Sequence, residues 1–115
     1  MAAKNKAGAA PDKLALYEKL VSTDPTIERK GATNPYTSLN GHMFSRLDPS
    51  GKMALRLPAG EREEFLKKYK TTLFHAYGIV QKEYVSVPDG LLNDTKELKR
   101  YFDISVRYVR TLKPK

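Results

Sequence analysis

Tyr-Thr-Ser-Leu-Asn-Gly-His-Met-Phe-Ser-Arg-Leu-Asp-Pro-Ser-Gly-Lys-Met-Ala-Leu-Arg-Leu, residues 36–57, contains two turn signals between three short strand-like runs. Asn40-Gly41 tolerates the paired positive φ angles of a two-residue type I′ turn, which predicts a hairpin joining Tyr36–Leu39 to His42–Leu47. Asp48-Pro49-Ser50-Gly51 is a second turn. Proline presets its first central φ, and Gly51 can take the left-handed position that follows. Lys52–Leu57 is the returning strand. With Asp48 opposite Lys52, Leu47 faces Met53, Ser45 faces Leu55 and Met43 faces Leu57, all on one mostly apolar face. The other face then carries His42, Phe44, Arg46, Lys52, Ala54 and Arg56. A one-residue slip would destroy this sorting, so burial selects the register.

Helices flank these strands. Leu14, Tyr17, Leu20 and Val21 recur at helical spacing after Pro11, and Pro25 stops that helix by Asp24. Ile27–Gly31 is expected to be a short strand. A second helix follows Pro58, with Glu61, Glu63 and Glu64 early and Lys67, Lys68 and Lys70 late, matching the helix dipole. Phe65, Leu66 and Tyr69 form its core face. Residues 71–81 give no clear pattern beyond a turn at Gly78. Glu83–Val87 alternates as a strand, and Pro88-Asp89-Gly90 ends it. Asp94 is the expected N-cap of the last helix, with Glu97 its capping partner. Leu98, Phe102, Ser105, Val109 and Leu112 form the apolar stripe of that helix, opposite Lys96, Arg100, Asp103, Arg107 and Arg110. The order predicts an α+β domain, an antiparallel meander sheet packed by N-terminal, middle and C-terminal helices.

The chain has 115 residues and a formal charge of +8, a length suited to one domain. The charge is uneven: residues 1–10 carry +2, residues 96–115 carry +5, and the 85 between them only +1. Residues 1–10 read as a flexible basic tail, 11–112 as the domain and 113–115 as a C-terminal tail. There is no cysteine, which excludes disulfides and thiolate chemistry and fits a reducing compartment. No apolar run is long enough to span a bilayer, and Met1–Ala10 lacks the apolar core of a secretory signal. A cytoplasmic location is expected, with no membrane partner.

Chemistry-bearing motifs are few. His42 and His75 lack carboxylates or histidines at metal-ligand spacing, so no metal and no cofactor are expected. His42 reads as a surface residue beside a turn, and His75 as semi-buried packing. There is no phosphate-binding loop and no nucleophile elbow. Two binding surfaces remain as candidates. One is the hairpin face, with Phe44, Arg46, Lys52 and Arg56 and with Arg29 and Lys30 nearby. Its cations would hold an acidic partner or phosphates, and Phe44 would make an apolar or base-stacking contact. The competing reading has a helix covering Leu39 and Phe44, with the cations at the rim. The other surface is the basic stripe of the last helix, Arg100, Arg107 and Arg110 foremost, which would follow a nucleic-acid backbone or simply face solvent.

Asn40-Gly41-His42-Met43-Phe44, Gly51-Lys52-Met53-Ala54-Leu55-Arg56-Leu57 and Lys82–Asp89, in this order, resemble the TfoX N-terminal domain. Val87–Leu92 and Ser105–Lys115 are also similar to the MmcQ/YjbR small proteins, often labelled DNA-binding. Both resemblances imply an α+β domain with helices against an antiparallel sheet. The first implies a stand-alone, non-enzymatic interaction module in regulation; the second implies nucleic-acid binding. The expected partner is a protein or a nucleic acid, with homodimerisation an open alternative. A small enzyme built on dispersed carboxylates or His42 is a further alternative.

Overall fold

A computed structural model of the chain describes residues 11–76 and 78–115; the expected tail over residues 1–10 lies outside them. Among the described residues, four helices and five strands follow in the order α1 (Pro11–Val21), β1 (Tyr36–Leu39), β2 (His42–Leu47), β3 (Met53–Arg56), α2 (Ala59–Lys68), β4 (Leu73–Ala76), β5 (Ile79–Val87), α3 (Asp89–Leu92) and α4 (Thr95–Arg110). All strand pairs are antiparallel and the sheet order is β1-β2-β3-β5-β4. The α+β class expected from the sequence is the one observed. β1, β2 and β3 form the meander. β5 then runs back between β3 and β4, so α2 carries the chain from β3 across to the far edge.

Both turns behave as their residues require. Asn40 and Gly41 adopt φ of 57° and 80°, which fits a type I′ turn. In the second turn the Gly51 amide donates to the Asp48 carbonyl at 2.9 Å, and Gly51 has φ 89°. The Asp48 carboxylate accepts from the Ser50 and Lys52 amides and from the Ser50 hydroxyl. This turn sets the pairing of Leu47 with Met53 and of Ser45 with Leu55, as expected. Asp94 caps α4 by accepting the Glu97 amide at 3.2 Å. The Glu97 side chain does not return the bond; it turns to α2 instead.

The core lies on one face of the sheet. Leu47, Met53, Leu55, Val85 and Val87 meet Tyr17 and Leu20 of α1, Phe65 of α2, Leu91 and Leu92 of α3, and Leu98 and Phe102 of α4 in one cluster. Each helix therefore buries its apolar stripe against the same side. Aromatic contacts join α2 to α4: Phe65 meets Tyr101 edge-on with ring centroids 5.0 Å apart, and Tyr69 lies 4.8 Å from Phe65. Ring pairs of this kind add roughly 1 kcal/mol beyond burial.

The structure corrects the sequence expectations for Ile27–Gly31, Phe44 and Met43 and assigns one segment that had none. Ile27–Gly31 is not a strand; only Lys30 pairs, in an isolated bridge to Tyr36. Asp24 caps a tight turn by accepting the Thr26 amide and hydroxyl, and Gly31 turns left-handed at φ 81°, so turns bound the segment on both sides and no ladder forms between them. Residues 73–76, left unassigned in the sequence, form the edge strand β4, paired to β5 across Gly78. Phe44 is not on the outer face. Between Thr37 and Ser38 the β1–β2 pairing slips by one residue, because Thr37 opposes Ser45 while Ser38 opposes Met43. A bulge at Phe44 follows, and it places two successive side chains on the buried side. Phe44 and Ser45 are both fully buried, with Phe44 5.5 Å from the Phe102 ring. Beyond the bulge Met43 belongs to the outer face with Tyr36 and Arg46, rather than opposite Leu57.

Candidate functional site

The helix-free face of the sheet is the candidate site. Register puts Arg46 beside Ala54 and Ala54 beside Ser86, a row that crosses β2, β3 and β5. Two small residues beside a long one leave a trough. Arg46 crosses it, and its guanidinium carbon sits 5.6 Å from the centroid of the Phe74 ring on β4. Phe74 is only 4% exposed and Ala54 is fully buried, so the arginine is held against an apolar floor. Among the described residues no carboxylate pairs with Arg46. Its attraction to the ring restrains the side chain without neutralising it.

Two hollows adjoin this bridge, one lined by Arg46 and one by Phe74. One, of about 160 Å³, is bounded by Asn34, Tyr36, Met43 and Arg46. The other, of about 340 Å³, lies between the Asp48–Lys52 turn and the start of β4, and is lined by Lys52, Thr72, Phe74, His75 and Ser86 among others. Tyr84 stands opposite Arg56 in the β3–β5 register. Its hydroxyl donates to the Met43 carbonyl, and burial holds its phenol above the ordinary range.

The remaining expected site residues are more committed. Arg56 is paired with Glu83 at 2.7 Å and flanked by the Tyr84 and Tyr108 rings, 5.9 Å and 5.7 Å away. Arg29 is paired with Glu18 at 3.1 Å and also donates to the Gly31 carbonyl. Lys30 donates to the Ser38 hydroxyl at 3.1 Å. Lys52 is exposed beside the larger hollow. Phe44 is fully buried against Phe102 of α4, so a helix does cover it, as in the competing reading, but on the side away from Arg46 and not with the cations at its rim; its expected ligand contact is withdrawn. On α4, Arg100 pairs with Glu97 at 3.4 Å and stacks on Tyr101, and Arg110 donates to Thr26 at 3.2 Å. Lys99 pairs with Asp103 at 2.7 Å. Arg107 is exposed. Acids of the same helix thus offset part of its basic stripe.

Sequence reading missed Phe74, Tyr36 and His75 as parts of this face. His75 is exposed rather than semi-buried, and its Nδ1 lies 3.1 Å from the Leu73 carbonyl. The cue that was present is the small pair Ala54 and Ser86, which stands in register with Arg46 only once β5 is known to neighbour β3. His42 contacts the Lys113 carbonyl at 2.7 Å, and the Lys115 amide donates to the Asn40 carbonyl at 2.9 Å, so residues 113–115 lie against the first hairpin turn. Among the described residues there is no cluster of histidine, aspartate and glutamate that could hold a metal, and no helix is long and apolar enough to cross a membrane. No protein-family model, curated protein or solved structure matches the chain.

Proposed function

We propose that the protein is a non-enzymatic interaction module that docks an acidic partner on the helix-free face of its sheet. The observation that carries this reading is Arg46: half-buried, held against Phe74, and without a carboxylate partner among the described residues. An arginine restrained in this way gives up less side-chain entropy when it forms a bidentate bond to a carboxylate. Lys52 adds a second cation at the rim of the larger hollow. The order of the Asn40–Phe44, Gly51–Leu57 and Lys82–Asp89 motifs supports grouping the chain with stand-alone TfoX N-terminal-like domains, in a regulatory role. The cysteine-free composition supports a reducing, cytoplasmic setting.

The alternative, nucleic-acid binding in the manner of the MmcQ/YjbR proteins, has less support. Bases need open aromatic faces. Here Phe44 is buried, Phe74 has Arg46 against it, and the Tyr84 hydroxyl is engaged. The testing experiment uses labelled poly-glutamate and an oligothymidine as probes, by fluorescence anisotropy at low salt. Poly-glutamate should bind, and Arg46→Gln should weaken it by about tenfold, the loss of one charge-assisted bond. Equal affinity in the variant, or binding of the oligothymidine alone, would overturn the reading.

A further inference from the structure

We propose that the acidic partner binds as an extended peptide, adding a sixth strand to the outer edge of β4 while its acidic side chains reach Lys52 and Arg46. This inference rests on the reading of the Arg46 face and names the form of its ligand.

The two edges of the sheet differ. At β1 the backbone is guarded: Lys30 and Tyr36 exchange both amide bonds at 2.8 and 2.9 Å, the Lys30 ammonium crosses to Ser38, and Pro35 precedes the strand. Such devices are how edge strands avoid unwanted pairing. At β4 the guard is lighter: the strand is short, its pairing shifts between Leu73 and Phe74, and the His75 ring meets the Leu73 carbonyl. Leu73–Ala76 contains no lysine, glutamate or proline, and among the described residues no segment pairs with its outer side. Apart from the Leu73 carbonyl, which the His75 ring contacts, the outward backbone groups of β4 are open to another strand, as in β-strand addition. The two exposed large hydrophobic residues among the described ones, Ile79 at 63% and Val80 at 41%, lie on β5 opposite Ala76 and His75. Ala76 is small, so an apolar side chain opposite it on an added strand reaches Ile79 across it.

Charge selects the occupant. The larger hollow opens at the start of β4, where Lys52 and His75 line it. The Asp48 carboxylate also lines it, but three donors from its own turn already hold one of its oxygens. A second copy of this basic chain would bring its own Lys52 to the same edge, and like charges in close pairs are unfavourable. A nucleic acid has no peptide backbone to pair with the strand. An extended acidic peptide satisfies both the open backbone and the cations.

The test compares a blocked peptide of alternating valine and glutamate with the same peptide N-methylated at every second residue, by anisotropy and by amide hydrogen exchange. N-methylation keeps the charge and removes the donors on one edge. The parent should bind, slow exchange at the β4 amides, and lose about tenfold affinity on N-methylation. Lys52→Glu, an exposed change that leaves the core untouched, should weaken it similarly. Equal binding of both peptides, still sensitive to Arg46→Gln, would overturn strand addition and leave the Arg46 face standing. Failure of both peptides, with no effect of Arg46→Gln on poly-glutamate, would overturn the face as well. Self-association in sedimentation that buries β4 would assign the edge to a second copy instead.

Discussion

The most informative single residues are buried hydroxyls. Tyr17 reaches Ser45 at 2.7 Å, and Ser45 also bonds Thr37, all three inside the core. Such a chain is stable only when every member has a partner. Tyr17→Phe should cost about 1–2 kcal/mol in urea unfolding. Burial pushes the Tyr17 phenol up from 10.0 to about 12. The folded protein keeps a proton that the unfolded chain releases near pH 10, so this contribution is intact below that pH and is lost as pH rises toward about 12. Tyr17→Phe should therefore flatten the alkaline fall in stability over that window. Ser105 is the opposite case: fully buried, its hydroxyl has no partner among the described residues. Ser105→Ala should leave stability unchanged or raise it by up to about 1 kcal/mol, read from the urea midpoint. A clear loss would mean that the hydroxyl is bonded in solution.

At the scale of elements, Glu97 links α2 to α4. It accepts from the Tyr69 hydroxyl at 2.6 Å and lies 3.3 Å from the Lys68 ammonium. The Tyr69 hydrogen bond, ahead of the lysine, holds its carboxyl below the ordinary range, while burial and the same bond hold the Tyr69 phenol well above its own. Tyr69→Phe should move the Glu97 titration up toward the usual glutamate value, measured by carboxyl NMR. The contribution of Glu97 is present above its unfolded pKa and lost as pH falls through the folded one, so the variant should lose acid resistance at a higher pH. Turn residues made most elements legible: Asn40-Gly41 and Asp48–Gly51 fixed the strands between them, and Asp94 marked the start of α4. β4 was illegible because four residues at an edge carry too little alternation to be told from loop. The bulge was illegible for a different reason. Register was inferred from the β2–β3 pairing, and Phe44 lies where β2 answers to β1.

At the scale of the whole molecule, four helices crowd onto one side of the sheet and leave the other to long side chains. The distribution of charge along the sequence points toward the last helix. The fold shifts the weight to the near-neutral middle of the chain, because the acids of α4 pair with Lys99 and Arg100 while Arg46 stands unpaired among the described residues. Three of the expected site residues, Arg46, Lys52 and Arg56, do lie along the sheet, yet their partners Phe74 and Tyr84 come from strands distant in sequence. No local motif could announce them. The most direct measurement is amide shift mapping of the labelled protein during titration with poly-glutamate. Shifts should centre on Tyr36, Arg46, Lys52 and Phe74, and need about tenfold more ligand in Arg46→Gln. Shifts centred instead on Lys96, Arg100 and Arg107 of α4, persisting in that variant, would contradict the account.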